Sequence, residues 1–179
     1  MARQRNTQGF SIVELVVVIG IISILLTITT LSFNSWQVKH NMEAQVRTMT
    51  TDFNEIRMRA LTTKKRYRVA FGANSYTFRS YSSEADVNGS AVTGGTKTVT
   101  FKLKKPDSTY YGAASDTIEI DQRGAFVAQE SNGTYDATAA NLTIYLDPGS
   151  SSGLNCIKLQ AVRINPGNSA TIGGICNDR

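Results

Sequence analysis

Residues 10–33 read FSIVELVVVIGIISILLTITTLSF, and residues 1–9 before them read MARQRNTQG. The longer stretch is apolar apart from Glu14 and a few hydroxyls, whereas the shorter one carries Arg3 and Arg5 and no acid. About 20 apolar residues, at 1.5 Å rise each, cross the hydrocarbon of a bilayer as a helix, so 10–33 is long enough to span one. Arginines on the short side place that end in the cytoplasm by the positive-inside rule. An ordinary secretory signal has a shorter apolar core, about 7–15 residues, with its cleavage site beyond it. Here the order is inverted. Gly9 stands before the apolar run, and cleavage of the Gly9–Phe10 bond leaves the hydrophobic helix on the mature chain.

Downstream, from Trp36 to about Thr62, the chain turns polar but keeps an apolar stripe. Val38, Met42, Val46, Met49, Phe53, Ile56 and Ala60 follow one another at spacings of 4, 4, 3, 4, 3 and 4. That period places them on one helical face, which is expected to be buried. The stretch therefore reads as a continuation of the N-terminal helix, packed on a C-terminal sheet. Beyond Lys64 the pattern changes to short alternating runs between turn formers. Strands are expected over Arg66–Phe71, Tyr76–Tyr81, Thr98–Leu103, Thr117–Asp121, Gly124–Gln129, Leu142–Leu146 and Cys156–Ile164. Loops are expected over Ser82–Gly95, Ser131–Ala140 and Asp147–Gly153. No repeat and no long linker divides the chain, and 179 residues leave room for one core and an appendage, since domains run to about 100–150 residues.

The formal charge of +5 falls to +3 when the leader is removed, because Arg3 and Arg5 leave 17 basic against 14 acidic side chains. That is a mildly basic surface rather than a polyanion-binding one. The two cysteines, Cys156 and Cys176, fit no metal or redox spacing. A disulfide in an oxidising compartment accounts for them best, with two buried thiols as the alternative. His40 has no cysteine or carboxylate cluster at metal-ligand spacing. Glu119 and Asp121 alternate along an expected strand as surface residues would. No phosphate-binding loop or hydrolase motif occurs, so neither catalysis, nor a cofactor, nor a metal is expected.

The run Gly9-Phe10-Ser11-Ile12-Val13-Glu14-Leu15 resembles the prepilin (class III) signal of type IV pilins and type II secretion pseudopilins. The resemblance implies an α+β pilin fold, with a long helix, transmembrane then amphipathic, packed on an antiparallel β-sheet head. On that reading 1–9 is the leader, 10–33 the transmembrane and polymerisation helix, 34–62 its amphipathic continuation and 63–179 the head. It further implies that a prepilin peptidase cuts after Gly9 and methylates Phe10, and that Glu14 serves filament assembly. A carboxylate inside an apolar helix costs several kcal/mol without a partner; the Phe10 ammonium of a neighbouring subunit would supply one. Alternatively Glu14, about 6 Å along the helix from Phe10, reaches the headgroups. The implied partners are the peptidase, other pilins and, before assembly, inner-membrane lipid, with the head in the periplasm. Major pilins commonly carry a proline where this chain has Leu31, and no proline precedes Pro106 here. The helix is then expected to be less kinked, which favours a minor pilin or a pseudopilin.

A second resemblance is to the GspH/FimT-type pseudopilin domain. It lies in DFNEIRMRALTTKKRYRVAFGANSYTF over 52–78, with Arg57-Met58-Arg59-Ala60 ending the helix, and in Cys156-Ile157-Lys158-Leu159 followed by Cys176. Some members of that type receive DNA in natural transformation. The candidate residues for such a role are Lys64, Lys65, Arg66 and Arg68, the strongest basic cluster in the chain. Cations at a helix C-terminus also offset its dipole, and only Arg163 and Arg179 provide basic character near the C-terminus. The expected function is therefore a structural filament subunit of a type IV pilus or type II secretion pseudopilus, which share all these features, with a DNA-binding minor pilin as the alternative.

Overall fold

The structure is a computed structural model in which residues 9–83, 86, 88–129, 135–136, 142–147 and 153–178 are described, without the side chains of 28–32, 128–129 and 135–136. The chain forms two compact units, residues 1–38 and 39–179. One helix, α1 (Ile12–Thr63, 52 residues), contributes to both. It begins two residues after Phe10, so Phe10 and Glu14 do not share the helical register assumed from sequence. The expected stripe is buried: Met42, Val46, Met49, Phe53, Ile56 and Ala60 are all core residues, and Val38 is half-buried. The helix ends where Lys64 turns left-handed at φ 54°, its N–H still reaching Ala60 O at 3.0 Å.

The remainder is antiparallel sheet, so the molecule is α+β with the later part of α1 packed on β-structure. There are two sheets rather than one. The first contains β1 (Arg66–Phe71), β2 (Ser75–Tyr81), β3 (Ser90–Thr98), β5 (Thr117–Ile120), β6 (Phe126–Gln129) and β7 (Tyr135–Asp136), in the order β3-β2-β1-β5-β6-β7. The second contains β4 (Lys102–Lys104), β8 (Leu142–Asp147), β9 (Cys156–Leu159), β10 (Ile164–Asn168) and β11 (Asn177–Asp178), in the order β11-β10-β9-β8-β4.

Three expected boundaries are corrected. Thr98–Leu103 is not one strand, because Gln45 of α1 takes the backbone there: its Oε1 accepts from Thr100 N (3.0 Å) and Phe101 N (2.9 Å), and its Nε2 donates to Phe101 O (2.9 Å). The last part of the expected Ser82–Gly95 loop, from Ser90 on, belongs to β3, whose pairing with β2 shifts register between Thr77 and Arg79. Cys156–Ile164 is a hairpin, folded back where Gln160 and Arg163 exchange backbone hydrogen bonds. The expected loops at 131–140 and 147–153 lie largely outside the described residues.

Phe53 is the hub of the first layer, its ring 6.1 Å from Phe71, 5.7 Å from Tyr76 and 6.1 Å from Phe78. Beside it the Tyr76 hydroxyl donates to Asp52 Oδ2 at 2.5 Å, and Lys97 Nζ stands 3.5 Å from the same carboxylate. The second sheet buries Leu103, Ile144, Leu146, Ile157 and Leu159. Its hairpin turn is tied to the first layer: Phe126 N donates to Ala161 O at 2.8 Å, and Arg57 Nη1 to Val162 O at 2.7 Å.

Candidate functional site

Gly9, Phe10 and Ser11 are exposed and precede the helix. A methyl group on Gly9 would meet no atom within 4 Å among the described residues. Ser11 sits at the helix entrance, its carbonyl accepting Leu15 N at 3.1 Å. With Glu14 in the first turn, Ser11-Ile12-Val13-Glu14 has the spacing of a capping box, in which serine and the acid three residues on serve the unpaired N–H groups of a helix start. Sequence reading missed this device, although its signal was in plain view. The acid also lies at the positive end of the helix dipole.

From Ile12 to Thr27 every side chain is exposed, on all faces of the helix. The hydroxyls in this run turn back on their own backbone: Ser23 Oγ donates to Ile19 O (2.7 Å) and Thr27 Oγ1 to Ser23 O (2.8 Å). Those polar groups are satisfied locally. Among the described residues no helix is long and apolar enough to cross a membrane. Within the apolar run the side chains of residues 28–32 lie outside the description, and Phe33 beyond them is exposed.

The basic cluster beyond the helix divides between solvent and an ion pair. Lys64 and Lys65 are exposed, but Arg66 and Arg68 lie over the outer face of the first sheet and converge on Glu119 of β5. Arg66 Nη1 is 2.9 Å from Oε1 and Arg68 Nη2 3.3 Å from Oε2. Glu119 is thus a buried ion-pair centre, 3% exposed, rather than a surface acid. Asp121 organises the β5–β6 turn, accepting from Arg123 N and Ala125 N, both at 2.8 Å. Arg79 was not singled out from sequence; strand register places it directly opposite Arg68. Only pairing across β1 and β2 reveals that neighbourhood. His40 is exposed on α1.

Cys156 of β9 and Cys176, just before β11, form a disulfide, as expected. Both are buried with Tyr145, whose hydroxyl donates to Gly174 O. The disulfide therefore lies where the C-terminal tail docks on the second sheet.

Neither the curated proteins nor the solved structures compared with this chain contain a match. Residues 4–30 match the family described as Prokaryotic N-terminal methylation motif. The matched stretch holds Gly9, Phe10 and Glu14 and ends within α1; together with the α+β architecture it supports a type IV pilin-like protein, a structural subunit that a prepilin peptidase processes and that assembles with other pilins.

Proposed function

We propose that this chain is a minor pilin or pseudopilin of the GspH/FimT type, cut after Gly9, methylated on Phe10 and held in the inner membrane by residues 10–33 until it enters a filament. One observation carries the reading: the methylation motif at 4–30 coincides with a helix whose side chains from Ile12 to Thr27 are exposed on every face. So much apolar surface is stable only in lipid or against other apolar helices. The exposed, non-helical Gly9–Phe10 bond is accessible to a protease. Once Phe10 carries a free ammonium, Glu14 of a neighbour is its natural partner in an apolar setting. Gly20 supports the same reading. It costs a helix about 1 kcal/mol relative to alanine, and a Cβ there would meet nothing within 4 Å among the described residues beyond its own helical turns, but it would permit another helix to approach closely.

The structural reading is preferred to DNA reception because Arg66 and Arg68, two of the four candidate cations, are engaged with Glu119. Intact-mass analysis of membrane-extracted protein tests the proposal. The expected mass is that of residues 10–179 plus one methyl group; a chain beginning at Met1, or cut beyond Phe33, would overturn it.

A further inference from the structure

We propose that Asn88 is an N-glycosylation acceptor, its side-chain amide taking a glycan from a polyisoprenyl-diphosphate-linked donor outside the cytoplasm. The modification requires a head exported to an oxidising compartment, which the Cys156–Cys176 disulfide supports, and is otherwise independent of the filament reading.

The segment Asp86-Val87-Asn88-Gly89-Ser90 holds the acceptor pattern Asn-x-Ser/Thr, with no proline between. An amide nitrogen is a weak nucleophile, because its lone pair is shared with the carbonyl, so a transferase must grip the acceptor on both sides of the asparagine. The hydroxyl two residues on offers one grip, and an acid two residues before offers another, through a cation of the enzyme. Positions 86, 88 and 90 are spaced by two, so acid, amide and hydroxyl lie on one face when the chain is extended. The acid is the informative part. Serine and threonine are common enough in this chain that Asn-x-Thr recurs at 132–134 and 141–143. Acids are only 14 of 179 residues, yet Glu130 precedes Asn132 at the same offset as Asp86 precedes Asn88. Asn132 and Asn141 lie outside the described residues, so the site is assigned at Asn88 alone.

The fold leaves this segment within reach. Asn88 and Ser90 are exposed, and Ser90 opens β3, which stands at the end of the strand order of the first sheet. On the near side of the register shift, β3 is paired to β2 only through Ser90 with Ser80 and Ala91 with Arg79. Freeing the acceptor therefore disrupts two paired positions rather than the whole strand, and surface loops and strand ends are where a folded chain opens at least cost. Gly89 is set by packing: at φ 59° it is left-handed, and a Cβ there would fall 2.7 Å from the Tyr81 ring. Asp86 has a structural duty as well, its carboxylate accepting from Gly89 N (2.9 Å) and Ser82 N (3.1 Å). Those two amides hold it below the usual carboxylate range, so it stays ionised for a cation to find. In the transfer, Asn88 Nδ2 bonds to the anomeric carbon of the donor sugar as that carbon's bond to the diphosphate oxygen breaks. One amide proton passes to a base, the lipid diphosphate leaves, and no oxidation state changes.

The test is mass spectrometry of the full chain purified from its own cell envelope, with electron-transfer fragmentation of the peptide that holds residues 86–90. A glycan on the Asn88 amide is expected; the N-terminal peptide of the same digest reports cleavage and methylation separately. Ser90→Thr, at an exposed position, should keep the glycan, and Ser90→Ala should abolish it. Asp86→Asn retains an acceptor oxygen for the turn while removing the charge, and should lower occupancy about tenfold, the worth of one hydrogen bond to a charged group. Asn88 found bare or merely deamidated, a glycan on a hydroxyl instead of the amide, or unchanged occupancy in Ser90→Ala or Asp86→Asn would overturn the proposal.

Discussion

Glu14 and Tyr76 show how differently single residues can matter in the two units. Glu14 is exposed in the first turn of α1, and its proposed partner belongs to another subunit. Glu14→Ala should therefore leave membrane insertion intact or slightly improved while impairing incorporation into filaments. Fractionation alongside immunoblotting of sheared filaments checks this, and normal incorporation would show the charge to be dispensable. Tyr76 is 2% exposed and hydrogen-bonded to the buried Asp52. Tyr76→Phe should destabilise the head by about 1.5–3 kcal/mol in urea unfolding, the range for a hydrogen bond to a charged group. Burial, then the Asp52 hydrogen bond and charge, push the Tyr76 hydroxyl far above the ordinary tyrosine range. A pKa raised on folding contributes stability that is complete below the unfolded value, about 10, and is lost as pH rises beyond it. Burial raises Tyr111 and Tyr145 in the same direction. Stability should thus decline above pH ~10, and less steeply in Tyr76→Phe; pH-dependent unfolding midpoints measure it.

At the scale of elements, α1 and the outlines of β1, β2, β5 and β8 could be read from periodicity, because apolar residues recur in their sequences at the helical or strand period. The misread segments end for reasons that lie elsewhere in the chain. Val99-Thr100-Phe101 continues an apolar alternation, yet Gln45 captures its amides from the helix. Gln45→Ala should leave both N–H groups without that acceptor and cost about 1–3 kcal/mol, read by urea unfolding of the variant. The turn at Ala161-Val162 contains no glycine, proline or asparagine to announce it; its carbonyls are held by Phe126 N and Arg57. Beyond Ile164 no strand was expected, and β10 contains Pro166 and Gly167, which strands disfavour. Pro166 pairs with Ile157 of β9, and on its other side β11 reaches only Gly167 and Asn168, so no strand faces Pro166 from that edge. Gly167 is required: a Cβ would fall 2.5 Å from Asn177 O and 2.8 Å from Cys176 Sγ.

For the whole molecule, the Asp52, Gln45 and Arg57 contacts tie the helix to the first sheet, to the segment between the sheets and to the hairpin turn of the second, and the disulfide holds the C-terminal tail on the second sheet. The disulfide closes a separation of 20 residues. On the chain-entropy account its reduction should cost about 3 kcal/mol, measured as the shift of the urea midpoint with and without reductant; an unchanged midpoint would show that the tail docks without it. The sequence alone determined the helix, its apolar and amphipathic parts, the α+β class and the processing signal, because each is written in neighbouring residues or in a regular period. It also suggested the cysteine pairing, there being only two cysteines to join. The tertiary structure decided the division into two sheets, the capture of Thr100 and Phe101 by Gln45, and the fate of the basic cluster. Lys64, Lys65, Arg66 and Arg68 look alike along the chain. Whether a cation stays in water or meets Glu119 from 51 or 53 positions away depends on strand register, and register is settled only when whole faces are buried together.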